Sequence, residues 1–186
     1  EALPSIAAVA DLRLRSRRPE DEHGWEIRAG TGQALSQPEP CRCPAGTEVR
    51  MQALFARVPA RRKFLRSSRT EWSHLENTAM RLALARPEIA MRLRHNGRLI
   101  WERPSDDAEA RSRALLGDEF MQQALSIDHA GGQLHLTGFC SRPAWSRVQP
   151  DYQYFFINGR FVRDRLVVGA LRAAYAEVLH GSRQPG

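Results

Sequence analysis

Residues 46–65 read Gly46-Thr47-Glu48-Val49-Arg50-Met51-Gln52-Ala53-Leu54-Phe55-Ala56-Arg57-Val58-Pro59-Ala60-Arg61-Arg62-Lys63-Phe64-Leu65. The alternation in the first half, with Val49, Met51 and Ala53 on one face, predicts a strand from Glu48 to Phe55. Pro59 then suits the first position of a helical turn, where a missing amide donor costs nothing.

Working upstream, Pro38, Pro40 and Pro44 mark an irregular connection. Before it, Gln33–Ser36 and Trp25–Arg28 read as short strands joined by the turn Gly30-Thr31-Gly32. Leu12-Arg13-Leu14-Arg15-Ser16-Arg17 alternates apolar with polar, as a half-buried strand does. Ala2–Ala10 predicts a short helix with Leu3, Ile6, Ala7 and Ala10 on one face.

Downstream, Ser68-Arg69-Thr70-Glu71 has capping-box spacing for a long helix with Trp72, Leu75, Ala79 and Leu82 on one stripe, limited by Pro87. Two alternating runs, Ile89–Leu93 and Arg98–Trp101, flank Asn96-Gly97, the favoured pair for a type I′ hairpin turn. The Pro-Ser-Asp-Asp cluster at 104–107 is the expected boundary between two segments, 1–104 and 105–186. Helices are expected at Ala108–Leu116 and Asp118–Leu125, divided by Gly117. A second hairpin follows at 125–140, turning at Ala130-Gly131-Gly132, and a strand-like stretch, Tyr152–Val162, surrounds Asn158-Gly159. Asp164 is placed to cap a last helix, Arg165–Leu179, which Gly181 follows. This order predicts an α/β fold in two pieces.

The net charge of +7 is carried by arginine, for Lys63 is the only lysine. A guanidinium pairs with phosphate through a planar fork, so the surplus permits a polyanionic partner. Three cysteines, Cys41, Cys43 and Cys140, form no disulfide framework, which points to a reducing, cytoplasmic compartment. Cys41 and Cys43 make a C-x-C without a second Cys or His pair at zinc spacing, so no metal site is expected. No apolar run approaches the roughly 20 residues that cross a bilayer. The opening Glu1-Ala2-Leu3-Pro4-Ser5-Ile6 lacks an initiator Met and starts within an apolar pattern, so the chain is expected to be an internal fragment.

Four stretches together resemble the MutL family of DNA mismatch repair proteins. Glu1-Ala2-Leu3 is similar to the tail of the family's G-F-R-G-E-A-L motif. Gly46-Thr47-Glu48-Val49, Leu54-Phe55 and Pro59–Leu65 resemble its G-T-x-V…L-F…P-A-R-R-K-F-L signature, with Arg57 where the family usually has Asn. Leu82–Pro87 with His95-Asn96-Gly97, and Tyr154–Arg160 with Arg163-Asp164, resemble two further elements in the same order.

The resemblance implies the C-terminal part of a GHKL ATPase domain in residues 1–104. Part of a ribosomal-protein-like transducer domain would follow in 105–186. The family's catalytic Glu, magnesium-binding Asn and adenine-binding Asp lie upstream of Glu1, so no catalytic residue or metal ligand is assigned here. The fragment alone is accordingly expected to bind no ATP or magnesium and to hydrolyse none, whereas the resemblance implies that the intact protein would be a slow ATPase. Amides at Ala2 and Leu3 would face phosphate at a helix start, and Gly46 with Thr47 would lie near the adenine. Arg160, Arg163 and Arg165, at the last strand-to-helix junction, would hold DNA phosphates. Implied partners are DNA, a mismatch-recognition protein, a nuclease, a helicase and a second copy of the chain. A basic nucleic-acid-binding module without a nucleotide switch, or another GHKL enzyme such as a topoisomerase subunit, is the alternative; the Pro59–Leu65 signature disfavours both.

Overall fold

The computed structural model describes residues 2–30, 32, 34–147, 152–179 and 184–185. Glu1, Thr31, Gln33 and Gly181, on which parts of the sequence reading fall, lie outside these. The backbone divides into two compact units, Glu1–Glu71 and Trp72–Gly186, and the segment boundary expected near 104–108 falls within the second.

The first unit opens with α1 (Ala2–Ala7) and continues through β1 (Asp11–Arg17), β2 (Gly24–Ala29), β3 (Glu39–Cys41), β4 (Gly46–Gln52) and α2 (Pro59–Arg62). The four strands form one antiparallel sheet in the order β3-β2-β1-β4. Register sorts the side chains by rung. Trp25, Ser16 and Thr47 lie across one rung, Ile27, Leu14 and Val49 across the next but one, and Ala29, Leu12 and Met51 two further on. Because side chains alternate along a strand, these rungs share one face. The other face carries Arg28, Arg13 and Arg50, then Glu26, Arg15 and Glu48.

Two expectations shift here. β4 stops at Gln52, three residues before the predicted end, because Ala53 (φ 52°) and Phe55 (φ 57°) turn left-handed and leave the ladder. The Phe55 amide instead donates to the Val9 carbonyl at 2.8 Å, tying the turn to the segment after α1. The strand predicted at Gln33–Ser36 is absent from Leu35 and Ser36, and the third strand is Glu39–Cys41. Ser36 takes another role: its amide donates to the Arg28 carbonyl and its hydroxyl accepts from the Arg28 amide, both at 2.9 Å. Pro40 is accommodated in β3 because that strand is at the sheet edge.

α3 (Ser68–Ala85) leads into the second unit. Its cap is Ser67, one residue earlier than the sequence suggested: the Thr70 amide donates to Ser67 Oγ at 3.3 Å, and the Arg66 amide to Glu71 Oε1 at 2.9 Å. Of the predicted stripe, Trp72 and Ala79 are covered and the two leucines are not. Leu75 and Leu82 are 62% and 55% exposed, while Trp72, Glu76, Ala79, Met80 and Ala83 form the covered line. The Trp72 ring fixes that phase by stacking on His95, with centroids 3.9 Å apart and planes at 7°.

The rest of the unit comprises β5 (Met91–His95), β6 (Arg98–Arg103), α4 (Ala108–Leu116), α5 (Asp118–Gln122), β7 (Ala124–Gly131), β8 (Leu134–Ser141), β9 (Ser146–Arg147), β10 (Phe155–Ile157), β11 (Arg160–Val162), α6 (Arg165–Ala174) and β12 (Gln184–Pro185). β5 with β6, and β10 with β11, close through Asn-Gly turns in which both residues have positive φ, as type I′ requires. β7 and β8 pair along their full length, so their turn falls at Gly132-Gln133, later than predicted. Phe120 and Met121 are buried, with Phe120 meeting Trp145 at 5.2 Å and Tyr152 at 5.7 Å between ring centroids.

Arg111 of α4 is 1% exposed, a position the sequence gave no reason to single out. Its guanidinium donates to the carbonyls of Ala83 at 3.0 Å, Pro87 at 2.8 Å, Ile89 at 3.0 Å and Pro104 at 2.6 Å. It ties the end of α3 and both approaches to the β5–β6 hairpin to α4.

Candidate functional site

Thr47 is the second residue of β4, directly opposite Ser16 of β1, and the two hydroxyls are 3.0 Å apart. They form a polar spot on the face otherwise built from Leu12, Leu14, Ile27, Val49 and Met51. Val49 and Met51 are 51% and 49% exposed, so this part of the face is open. The hydroxyl pair offers a donor and acceptors for a directional hydrogen bond. Gly46 has φ 114°, a conformation that L side chains rarely adopt, and pairs with Arg17. Arg17 Nε in turn donates to the Cys43 carbonyl at 2.9 Å, fixing the chain just before Gly46.

Ala2 and Leu3 begin α1, which delivers the chain to the Asp11 end of β1, whereas Gly46 pairs with its Arg17 end. Ser16, the partner of Thr47, went unremarked in the sequence. Alternation places it on the leucine face, but only the β1–β4 register identifies its neighbour.

The polar face is an ion-pair ladder. Glu26, 4% exposed, accepts from Arg15 Nε and, at 2.5 Å, from Arg28 Nε. The hydrogen bond from Arg15, followed by that from Arg28, holds its carboxyl below the usual range. Arg50 reaches Glu48 at 2.9 Å.

In the second unit, Arg160 opens β11 and Arg165 opens α6, with Arg163 between them; all three are exposed. The Arg163 guanidinium lies 5.9 Å from the Phe161 ring centroid. Asp164 caps α6, its Oδ1 accepting from the amides of Leu166 at 2.8 Å and Val167 at 3.3 Å. These amides are thereby committed to a carboxylate, so anion binding at this junction would fall to the guanidinium groups. Arg61, Arg62 and Lys63 lie on or just after α2 and are exposed.

Comparison with known proteins fits this geometry. The family model described as "DNA mismatch repair protein, C-terminal domain" matches residues 112–186. The DNA mismatch repair protein MutL of Ralstonia nicotianae is 45% identical over 185 residues, covering 100% of this chain and 28% of that protein. Its counterpart from Xanthomonas campestris is 46% identical over 187 residues, covering 100% of this chain and 30% of that protein. The chain belongs to the MutL family. A solved structure, the Aquifex aeolicus MutL ATPase domain complexed with ADP, superposes with a TM-score of 0.73 at 28% identity, covering 92% of this chain and 66% of that one. The mixed α/β fold is therefore that of a MutL ATPase-domain structure. The chain spans about three tenths of the length of these curated MutL relatives. Among the described residues no helix is long and apolar enough to cross a membrane, and no group of three or more His, Cys, Asp or Glu could hold a metal ion.

Proposed function

We propose that this chain is part of an ATP-driven DNA mismatch repair clamp, supplying adenine-side contacts from its first part and DNA-contacting arginines from its second. The observation that carries the reading is the MutL identity of 45–46% running through the whole chain. In this reading residues 1–104 complete a GHKL-type ATPase domain and residues 105–186 begin the transducer. The basic-module alternative has no comparable support, because it does not account for the likeness to an ADP-bound ATPase domain.

ATP with magnesium would be the cofactor of the intact protein. Thr47 and Ser16 would present hydroxyls to the base or to a water beside it, and the leucine face would give the ring apolar area. The positive φ of Gly46 would set the angle at which β4 enters. Ala2 and Leu3 amides would face the phosphates. None of these groups supplies a general base, so hydrolysis depends on residues outside this set. Closure of two copies around DNA, cytoplasmic location, and hand-off to a mismatch-recognition protein, nuclease and helicase complete the proposal.

Thr47→Val tests the nucleotide half in the full-length protein. The substitution keeps the shape and deletes the hydroxyl, so ATP affinity should fall by about 0.5–1.5 kcal/mol, the usual worth of one hydrogen bond. Calorimetric titration reads it, with Val49→Thr as a same-face control. Unchanged affinity would place Thr47 outside the nucleotide pocket.

A further inference from the structure

The C-x-C motif is left over from the function above, and its geometry is specific. Cys41 ends β3 and Cys43 follows two residues later, bracketed by Pro40 and Pro44, whose fixed φ stiffens the chain on both sides. The two Sγ atoms are 3.9 Å apart, and both thiols are unbridged and half-buried. They line an open cavity of about 420 Å³ together with Arg17 and His23, so a small solute has access to them. Gly24 makes the room: a Cβ there would sit 2.4 Å from Cys43 Sγ.

We propose that Cys41 and Cys43 are a reversible oxidation site, closing to an intramolecular disulfide with a hydroperoxide as oxidant. One thiol attacks the peroxide oxygen and becomes a sulfenic acid as water or an alcohol leaves. The second thiol displaces hydroxide from that sulfur, its proton leaves with the hydroxide as water, and the S–S bond forms. Two electrons pass from the thiol pair to the peroxide. Both thiols line the cavity, so either can make the first attack while the other resolves the sulfenic acid. Transient disulfides of this kind are what reducing compartments tolerate. Closure draws the Sγ atoms together by almost 2 Å, given an S–S bond of about 2.05 Å. Any main-chain movement at Cys43 acts on the bond that its carbonyl accepts from Arg17 Nε.

The sequence provides the test. Arg42 lies between the two cysteines, so trypsin separates peptides 29–42 and 43–50 unless a bridge joins them. The reduced full-length protein is treated with hydrogen peroxide, alkylated and digested. The bridged pair should dominate this region and return to two alkylated peptides with dithiothreitol. Cys41→Ser should abolish the bridge and leave a sulfenic acid on Cys43 that a dimedone probe captures. Separate, alkylated or sulfinic peptides from oxidised wild-type protein would overturn the proposal. A bridge from either cysteine to Cys140 instead would do the same.

Discussion

Arg111 shows how much one side chain can organise. A guanidinium has five donors in a rigid fork, and here four main-chain carbonyls from three separate stretches accept from it in a nearly sealed site. Three of these carbonyls surround Nη2 and that of Ala83 accepts from Nη1, and methionine would leave all four without this donor. Arg111→Met should therefore destabilise the fold by on the order of 3 kcal/mol, as expected when buried acceptors lose charged donors. Urea denaturation of the full-length protein checks this; a loss below a few tenths would mean that water replaces the guanidinium easily. Glu26 gives a pH-dependent counterpart. Its folded-state pKa is depressed, so its contribution is present above the unfolded carboxyl pKa and is lost as pH falls through the folded value. Glu26→Gln should lower stability at neutral pH, and its difference from wild type should shrink on acidification below the carboxylate range. A difference that stays constant between neutral and strongly acidic pH would show that the Arg15 and Arg28 pairing contributes nothing.

Local rules predicted some elements well and others poorly, and the division has a physical cause. The cap at Asp164 and both Asn-Gly turns depend on a few neighbouring residues, so spacing alone located them. Asp164→Ala should lower stability by about 1 kcal/mol, with Asp164→Asn recovering most of it, as thermal unfolding can measure. No loss on Asp164→Ala would mean that the α6 amides find another acceptor. In α3 the expected stripe is covered at Trp72 and Ala79 but exposed at Leu75 and Leu82, because the stack of Trp72 on His95 turns Glu76, Met80 and Ala83 to the covered side. The third strand was misplaced because an edge position tolerates Pro40, which the sequence suggests is a breaker. In the candidate nucleotide site, Gly46 and Thr47 were legible from a motif. Ser16 was not, since a cross-strand neighbour is fixed by register between segments 31 residues apart.

At the scale of the molecule the surplus of seven positive charges matters through what it displaces. DNA carries condensed counterions, and each phosphate neutralised by a cation releases some of them, which makes affinity fall with salt. Arg160, Arg163 and Arg165 are exposed at one junction, and Asp164 has already occupied the Leu166 and Val167 amides. Binding here would thus depend on guanidinium charge more than on the α6 dipole. In the full-length protein, Arg160→Gln, Arg163→Gln and Arg165→Gln should each weaken duplex DNA binding with little dependence on sequence. Each lost contact should reduce the log–log salt slope by about 0.9. A residue that reads base edges would instead alter which sequences are preferred. Arg163 is the more complex case, because its guanidinium also lies near Phe161 and its removal affects packing. Circular dichroism and melting temperature must match wild type before its affinity is interpreted. Fluorescence anisotropy across a salt series then decides. If all three folded variants keep the wild-type slope, the phosphate-binding surface is elsewhere, and the same series on Arg61, Arg62 and Lys63 would test the basic segment around α2.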